Sequence, residues 1–160
     1  MLIIREMRQP RAFQTHVRDF SGEPSYFHVI SRVTGRDLLF GDQEKERFRI
    51  LLDKQLEFSG LRAIAWCFMG NHFHLLLEAP DKETALEGWT EQDFLDRLTI
   101  LRDETSTKLL LAQLEMFQGN GNKEGVRDIA EGVRRRLFDL SAFMKELKQR
   151  LYHRPAVLCS

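Results

Sequence analysis

The sequence predicts an α+β fold, specifically a ferredoxin-like (split β-α-β) antiparallel sheet with helices on one face. Three segments read as strands, the first from its alternation and the other two from their apolar, β-branched and aromatic residues. A helical stripe separates the first two strands, and an amphipathic helix lies near the end. This β-α-β-β-α order lacks only a last strand. Either the few residues after Pro155 form a short edge strand, or the C-terminal part of the domain is missing. The 160 residues suit a single domain.

The predicted sheet comes from the first half of the chain. Residues 25–33 alternate like a strand, with His28 on one face and Phe27 on the other. A helix is expected to begin at Asp42 as N-cap and to end at Gly60. The segment 61–78 then reads as a hairpin, turning at Met69-Gly70-Asn71.

The second half is predicted to be helical, with an insertion at about 82–136. Thr90 and Asp93 have the spacing of a capping box. Two apolar stripes follow: Phe94, Leu95, Leu98 and Leu101, then Leu109, Leu110, Leu114 and Phe117. After a Gly-Asn loop, helices are expected over 128–137 and 139–150.

The overall charge is balanced, but its distribution is not. Lysine and arginine together number 24, as do aspartate and glutamate. Acids dominate residues 81–104 and bases dominate 134–154, and a basic face suits a phosphate-bearing partner. Cys67 and Cys159 form no disulfide framework, and no segment resembles a secretory signal or a membrane span. These features favour a cytoplasmic protein with no membrane partner.

The most informative motif is His72-Phe73-His74, at the start of the second hairpin strand. Residues two apart on a strand share a face, and their Cα atoms lie about 7 Å apart. Two such imidazoles can bind one divalent ion, and an open site of this kind suits Mg²⁺ or Mn²⁺. The alternative is a pair of ordinary polar-face residues.

Further ligands are less evident. The chain has no Cys-x-x-Cys pair for a closed zinc site. His28 can approach from the first strand as a third ligand, although a packed or hydrogen-bonded histidine is the favoured alternative. Glu78 shares the face of His72 and His74 but lies further along the strand.

These residues resemble the REP-associated tyrosine transposase branch of the HUH single-tyrosine transposase family. The resemblance runs over 26–36 and Phe40, then over 65–78 with its Met-x-Asn-His-x-His-Leu-Leu block, and resumes over 139–150. The segment between Lys82 and Arg136 resembles an insertion found in one subgroup.

The resemblance implies metal-assisted cleavage and joining of single-stranded or hairpin DNA. In such proteins a tyrosine hydroxyl attacks the phosphate and forms a phosphotyrosine intermediate. That tyrosine belongs to a helix beyond the last matching segment, and the sequence here diverges at residue 151. Tyr152 is the remaining candidate nucleophile, whereas Tyr26 reads as a strand residue. We therefore expect this chain not to form a covalent DNA adduct efficiently.

The last predicted helix supplies a candidate DNA contact. Lys145, Lys148 and Arg150 are expected to face outward and to bind phosphate, although a merely solvated basic face is the simpler alternative. A non-catalytic module that recognises hairpin or single-stranded DNA is thus the competing function. A missing final strand would also leave a sheet edge through which two copies could pair as a homodimer.

Overall fold

The predicted α+β architecture is confirmed in a computed structural model, which describes residues 22–32 and 41–152. The strands are β1 (Ser25–Arg32), β2 (Arg62–Phe68) and β3 (His72–Ala79). The helices are α1 (Asp42–Ser59), α2 (Lys82–Ala85), α3 (Glu91–Arg97), α4 (Glu104–Gly119), α5 (Lys123–Arg136) and α6 (Leu140–Tyr152). The expected turn after the first strand and the expected stub after Pro155 lie outside the described residues.

The sheet is antiparallel, with β3 in the centre and the strand order β1-β3-β2. Ile30 of β1 lies opposite His74, and Cys67 of β2 lies opposite the same residue from the other side. The register between β2 and β3 shifts between Ala63 and Ala65. Within the described residues no strand pairs with the outer edge of β1 or β2. The ferredoxin-like assignment and the homodimer both stay predictions.

Two helices cover one face of the sheet. The inward side chains of β3 are fully buried and pack with α1 and α6. This core, here called the sheet core, is built around Phe48, Leu52, Phe73, Leu75, Leu77, Phe143 and Leu147. No described helix covers the other face. The expectation of helices on one face is therefore confirmed for this part of the chain.

The segment predicted to be an insertion folds around a second cluster, here called the insertion core. It joins apolar side chains of α3, α4 and α5 to the end of α1: Phe58, Phe94, Leu95, Leu98, Leu110, Leu114, Val126, Ala130, Val133 and Leu137. The capping box predicted at Thr90 and Asp93 is present. None of the described helices is both long and apolar enough to span a bilayer.

Three details of the insertion differ from the sequence prediction. The helix α3 ends at Arg97, so Leu98 and Leu101 reach the core from turns. Leu109 is 68% exposed, because the buried stripe at Leu110 and Leu114 lies on another side of α4. The helix α5 begins five residues earlier than expected, since the Asn122 side chain accepts a hydrogen bond from the Gly125 amide and caps it.

The ends of α1 and α5 meet at an unusual backbone contact. Gly60 ends α1 in the left-handed region, with φ of 74°, as its C-cap position predicted. Phe138, after α5, also has a positive φ of 57° and donates its amide to the Ser59 carbonyl at 2.8 Å. Its ring occupies the space that a Cβ on residue 60 would need. Glycine is therefore required at position 60 for two independent reasons.

Candidate metal centre

The alternation of β3 places His72 and His74 on the uncovered face of the sheet. Phe73 and Leu75 between and beside them are 0% exposed in the sheet core. Because side chains alternate along a strand, both histidines must face the opposite way, as the sequence predicted. Their ring centroids lie 5.1 Å apart.

His28 joins this pair from β1. Its Nε2 lies 3.1 Å from Nδ1 of His74, and the two rings stack with centroids 5.3 Å apart. The sequence placed His28 on a strand but could not tell that β1 pairs with β3. Ile30 lies opposite His74, and His28 is two residues away from Ile30 on the same face of β1. The side chain of His28 can therefore reach the His74 ring diagonally across the strand pair.

The contacts of these rings indicate which nitrogen atoms can bind a metal. Nδ1 of His72 lies 2.8 Å from the Asn71 amide oxygen, which can only accept a hydrogen bond. In the neutral imidazole that donates this hydrogen bond from Nδ1, Nε2 keeps its lone pair. If Nδ1 of His74 donates to His28 in the same way, Nε2 of His74 is also free to coordinate.

The donor set fits an open site rather than a closed one. Two imidazoles on one exposed strand face can share a divalent ion that keeps water or phosphate oxygen in its other positions. Within the described part of the chain, no group of three histidine, cysteine, aspartate or glutamate side chains is arranged to hold a metal. The described contact of His28 with this pair is the one between Nε2 of His28 and Nδ1 of His74.

The carboxylate of Glu78 is engaged elsewhere. It accepts a hydrogen bond from the Arg62 guanidinium across the β2–β3 pair. Its side chain is only 13% exposed, whereas Arg62 remains open to solvent. Glu78 shares the face of the histidines, as predicted, but this ion pair holds it away from a role as ligand in the present arrangement.

The two tyrosines belong to different elements of the fold. Tyr152 is the last residue of α6, and that helix packs through Phe143 and Leu147 against the face opposite the histidines. Tyr26 belongs to the same face of β1 as His28 and is 60% exposed. Of the two tyrosines, Tyr26 is the one whose strand face also carries a histidine of the cluster.

The basic residues of α6 separate into two environments. Lys145 is exposed and Lys148 is half-buried, one helical turn apart. Arg150 instead donates from Nη1 to the Leu101 carbonyl at 2.9 Å and is half-buried against the insertion. The expectation that all three face outward together is wrong for Arg150, because residue 150 lies about 140° around the helix from residue 145.

Comparison of this chain with protein-family models found no match. Curated proteins and solved structures also yielded none. Any assignment of function therefore depends on the residues of this chain and on how the fold positions them.

Proposed function

We propose that this protein processes DNA in the manner of the transposases that its motifs resemble, with a divalent ion bound by His72 and His74. The observation that carries the proposal is the pair of imidazoles on an uncovered sheet face, oriented by Asn71 and His28. A single strand or hairpin of DNA can reach this face without displacing a described helix.

The residues around the histidines support a role with phosphate. When bound, a divalent ion polarises a phosphodiester and neutralises the charge that develops during cleavage. Arg32 pairs with His72 in the register and is exposed, so it adds a positive charge on the β1 side. Asn71 and His28 fix the ring orientation, and such partners commonly raise metal affinity 10–100-fold.

A second candidate is a DNA-binding module without cleavage. The observation that favours it is the position of Tyr152 on α6, which packs against the face opposite His72 and His74. A nucleophile must come within about 3–3.5 Å of the reacting atom. In this arrangement the protein would hold DNA at the histidine face without forming a covalent bond to it.

One experiment tests the metal site and separates both functions. The protein is incubated with Mn²⁺ and end-labelled DNA hairpins, and the products are run on native and denaturing gels. Wild type should bind DNA with a Mn²⁺ dependence that the His72→Ala, His74→Ala double variant loses. A His16→Ala variant, which removes a histidine outside the motif, is the control. If the double variant binds Mn²⁺ by calorimetry as well as wild type does, the proposed site is wrong.

The denaturing gel identifies any nucleophile. We expect no efficient covalent adduct. A shifted band that disappears in Tyr152→Phe would establish Tyr152 as the nucleophile, and one that disappears in Tyr26→Phe would assign that role to Tyr26. Metal-dependent binding without a band supports the non-catalytic module.

A further inference from the structure

A basic cavity lies on the helical side of the protein, away from the histidines. It measures about 360 Å³ and is enclosed by the turn between α3 and α4 together with α5 and α6. Its polar lining consists of Arg102, Asp103, Ser106, Arg136 and Arg150, above an apolar floor that includes Phe58. We call it the arginine pocket. Because α6 packs on the sheet face opposite His72 and His74, the pocket is separate from the candidate metal centre.

Two of its three arginines are held in place by the protein. Arg136 donates from Nε and Nη2 to the Glu146 carboxylate at 2.6 and 2.8 Å, and its guanidinium lies 4.4 Å from the centroid of the Phe58 ring. Arg150 is anchored by its bond to the Leu101 carbonyl. A guanidinium has five N–H donors, so both arginines keep donors for a ligand after these contacts. Their orientation is fixed before any ligand binds.

The third arginine has no such anchor. The Arg102 side chain is exposed, and among the described residues its guanidinium makes no hydrogen bond or salt bridge, although its charge acts on the neighbouring Asp103. It stands at the entrance beside Asp103, whose carboxylate accepts the Ser106 amide at 2.7 Å and so caps α4. Hydrogen bonds from the Ser106 backbone and side chain hold the pKa of Asp103 below its usual value. The lining thus combines three permanent positive charges with one negative charge, and the Glu146 carboxylate bound to Arg136 adds a second negative charge beside it.

We propose that the arginine pocket binds a phosphate group. Guanidinium groups recognise phosphate oxygens with paired, charge-assisted hydrogen bonds, and a fixed set of them binds without first being ordered. The phosphate can belong to a DNA strand or to a free phosphate compound. The inference that the phosphate belongs to DNA rests on the proposed function. The inference that the arginines bind a phosphate group does not.

The test uses opposite charge changes at the mouth of the pocket. Arg102→Gln removes a donor that supports no described contact, and Asp103→Asn removes the negative charge but retains a good N-cap residue. Two control variants lie at exposed positions outside the lining. Arg127→Gln in α5 removes one positive charge, as Arg102→Gln does, and Glu115→Gln in α4 removes one negative charge, as Asp103→Asn does. Each variant is titrated with inorganic phosphate by calorimetry and with fluorescein-labelled dT20 by anisotropy at several salt concentrations.

We expect Arg102→Gln to weaken binding by roughly tenfold and Asp103→Asn to strengthen it, while both controls stay close to wild type. If DNA is the source, Arg102→Gln should also reduce the salt slope of dT20 binding by about 0.7. A response to inorganic phosphate alone identifies a free phosphate compound as the ligand.

The proposal is overturned if neither probe binds, or if each pocket variant matches its control. The pocket proposal and the metal-site proposal can be tested separately, because the His72→Ala, His74→Ala variant should retain phosphate binding. Phosphate binding in a protein without Mn²⁺-dependent DNA binding would support the pocket and contradict the proposed function.

Discussion

The contact between His28 and His74 adds a hydrogen-bonding partner to the two predicted metal ligands. It gives His74 a partner for Nδ1, as Asn71 does for His72. Partners of this kind fix the tautomer that presents Nε2 to a metal. We therefore infer an orienting role for His28, in which Nδ1 of His74 donates to Nε2 of His28 and leaves Nε2 of His74 free.

This role predicts a graded loss of metal affinity. His28→Ala should weaken Mn²⁺ binding about 10–100-fold, the usual cost of losing an orienting partner, whereas the double variant at His72 and His74 should abolish it. Calorimetric titration measures both. Tyr26→Phe, on the same strand face, should leave the affinity unchanged. Equal losses in the single and double variants would instead make His28 a direct ligand.

Gly60 provides a stability prediction from backbone geometry. Gly60→Ala should lower the free energy of unfolding by about 1–3 kcal/mol, because its φ is positive and the new Cβ would overlap the Phe138 ring. Urea denaturation followed by circular dichroism measures the loss.

Gly119→Ala is the matched control for that change. Gly119 is the last residue of α4 and has no positive φ, and a Cβ added there would meet no other atom within 4 Å. Substitution there should be neutral or stabilising by up to about 1 kcal/mol, since alanine favours helix. Similar destabilisation at both positions would show that neither the Phe138 contact nor the left-handed backbone is the cause.

The helix α6 has two basic sides besides its buried one. Lys145 and Lys148 lie one turn apart, while Arg150 belongs to the arginine pocket. Lys145→Glu with Lys148→Glu should weaken hairpin-DNA binding and flatten its salt dependence. The control is the pair Lys123→Glu with Arg127→Glu, which reverses the same number of charges on α5. An identical salt slope for the two pairs would mean that the lysine face of α6 is merely solvated.

The helices α1, α5 and α6 meet at the carboxylate of Glu146. Burial opposes its ionisation most strongly, but hydrogen bonds from Arg136 and Gln55, together with the charges of Arg136 and Arg150, outweigh this effect and lower the pKa of Glu146. A carboxyl whose native pKa is lowered stabilises the fold above its unfolded pKa, near 4.3. That stabilisation is lost as the pH falls through the lower native value.

This linkage predicts a pH-dependent difference between wild type and Glu146→Gln. At pH 6–7 the variant should have the lower Tm, and the difference should shrink as the pH falls below about 4.3. Thermal unfolding between pH 3 and 7 measures it. Glu115→Gln, at an exposed site of α4, should follow wild type throughout. A Tm difference that stays constant with pH would show that packing, rather than charge, dominates at Glu146.

Across the molecule, the sequence was most informative where local periodicity and burial agree. The alternation around Phe73 predicted which face carries His72 and His74, and the C-cap at Gly60 was placed correctly. The sequence left open whether His28 is a ligand or a hydrogen-bonded histidine, and it did not predict the contact of Arg150 with Leu101, because both depend on which distant segments pack together. The short α3 was also missed, since Leu98 keeps a helical spacing while it reaches the insertion core from a turn.

The helix α1 contributes to both cores, and this has a consequence for how the protein melts. Phe48 and Leu52 pack under the sheet, while Phe58, two turns further on, belongs to the insertion core. Neither core can lose order without unravelling a helix that the other requires, so the two should not behave as separate cooperative units. We expect one calorimetric peak whose measured enthalpy equals the van't Hoff enthalpy. Two resolved peaks would mean that the insertion is an autonomous foldon joined to the sheet by a hinge.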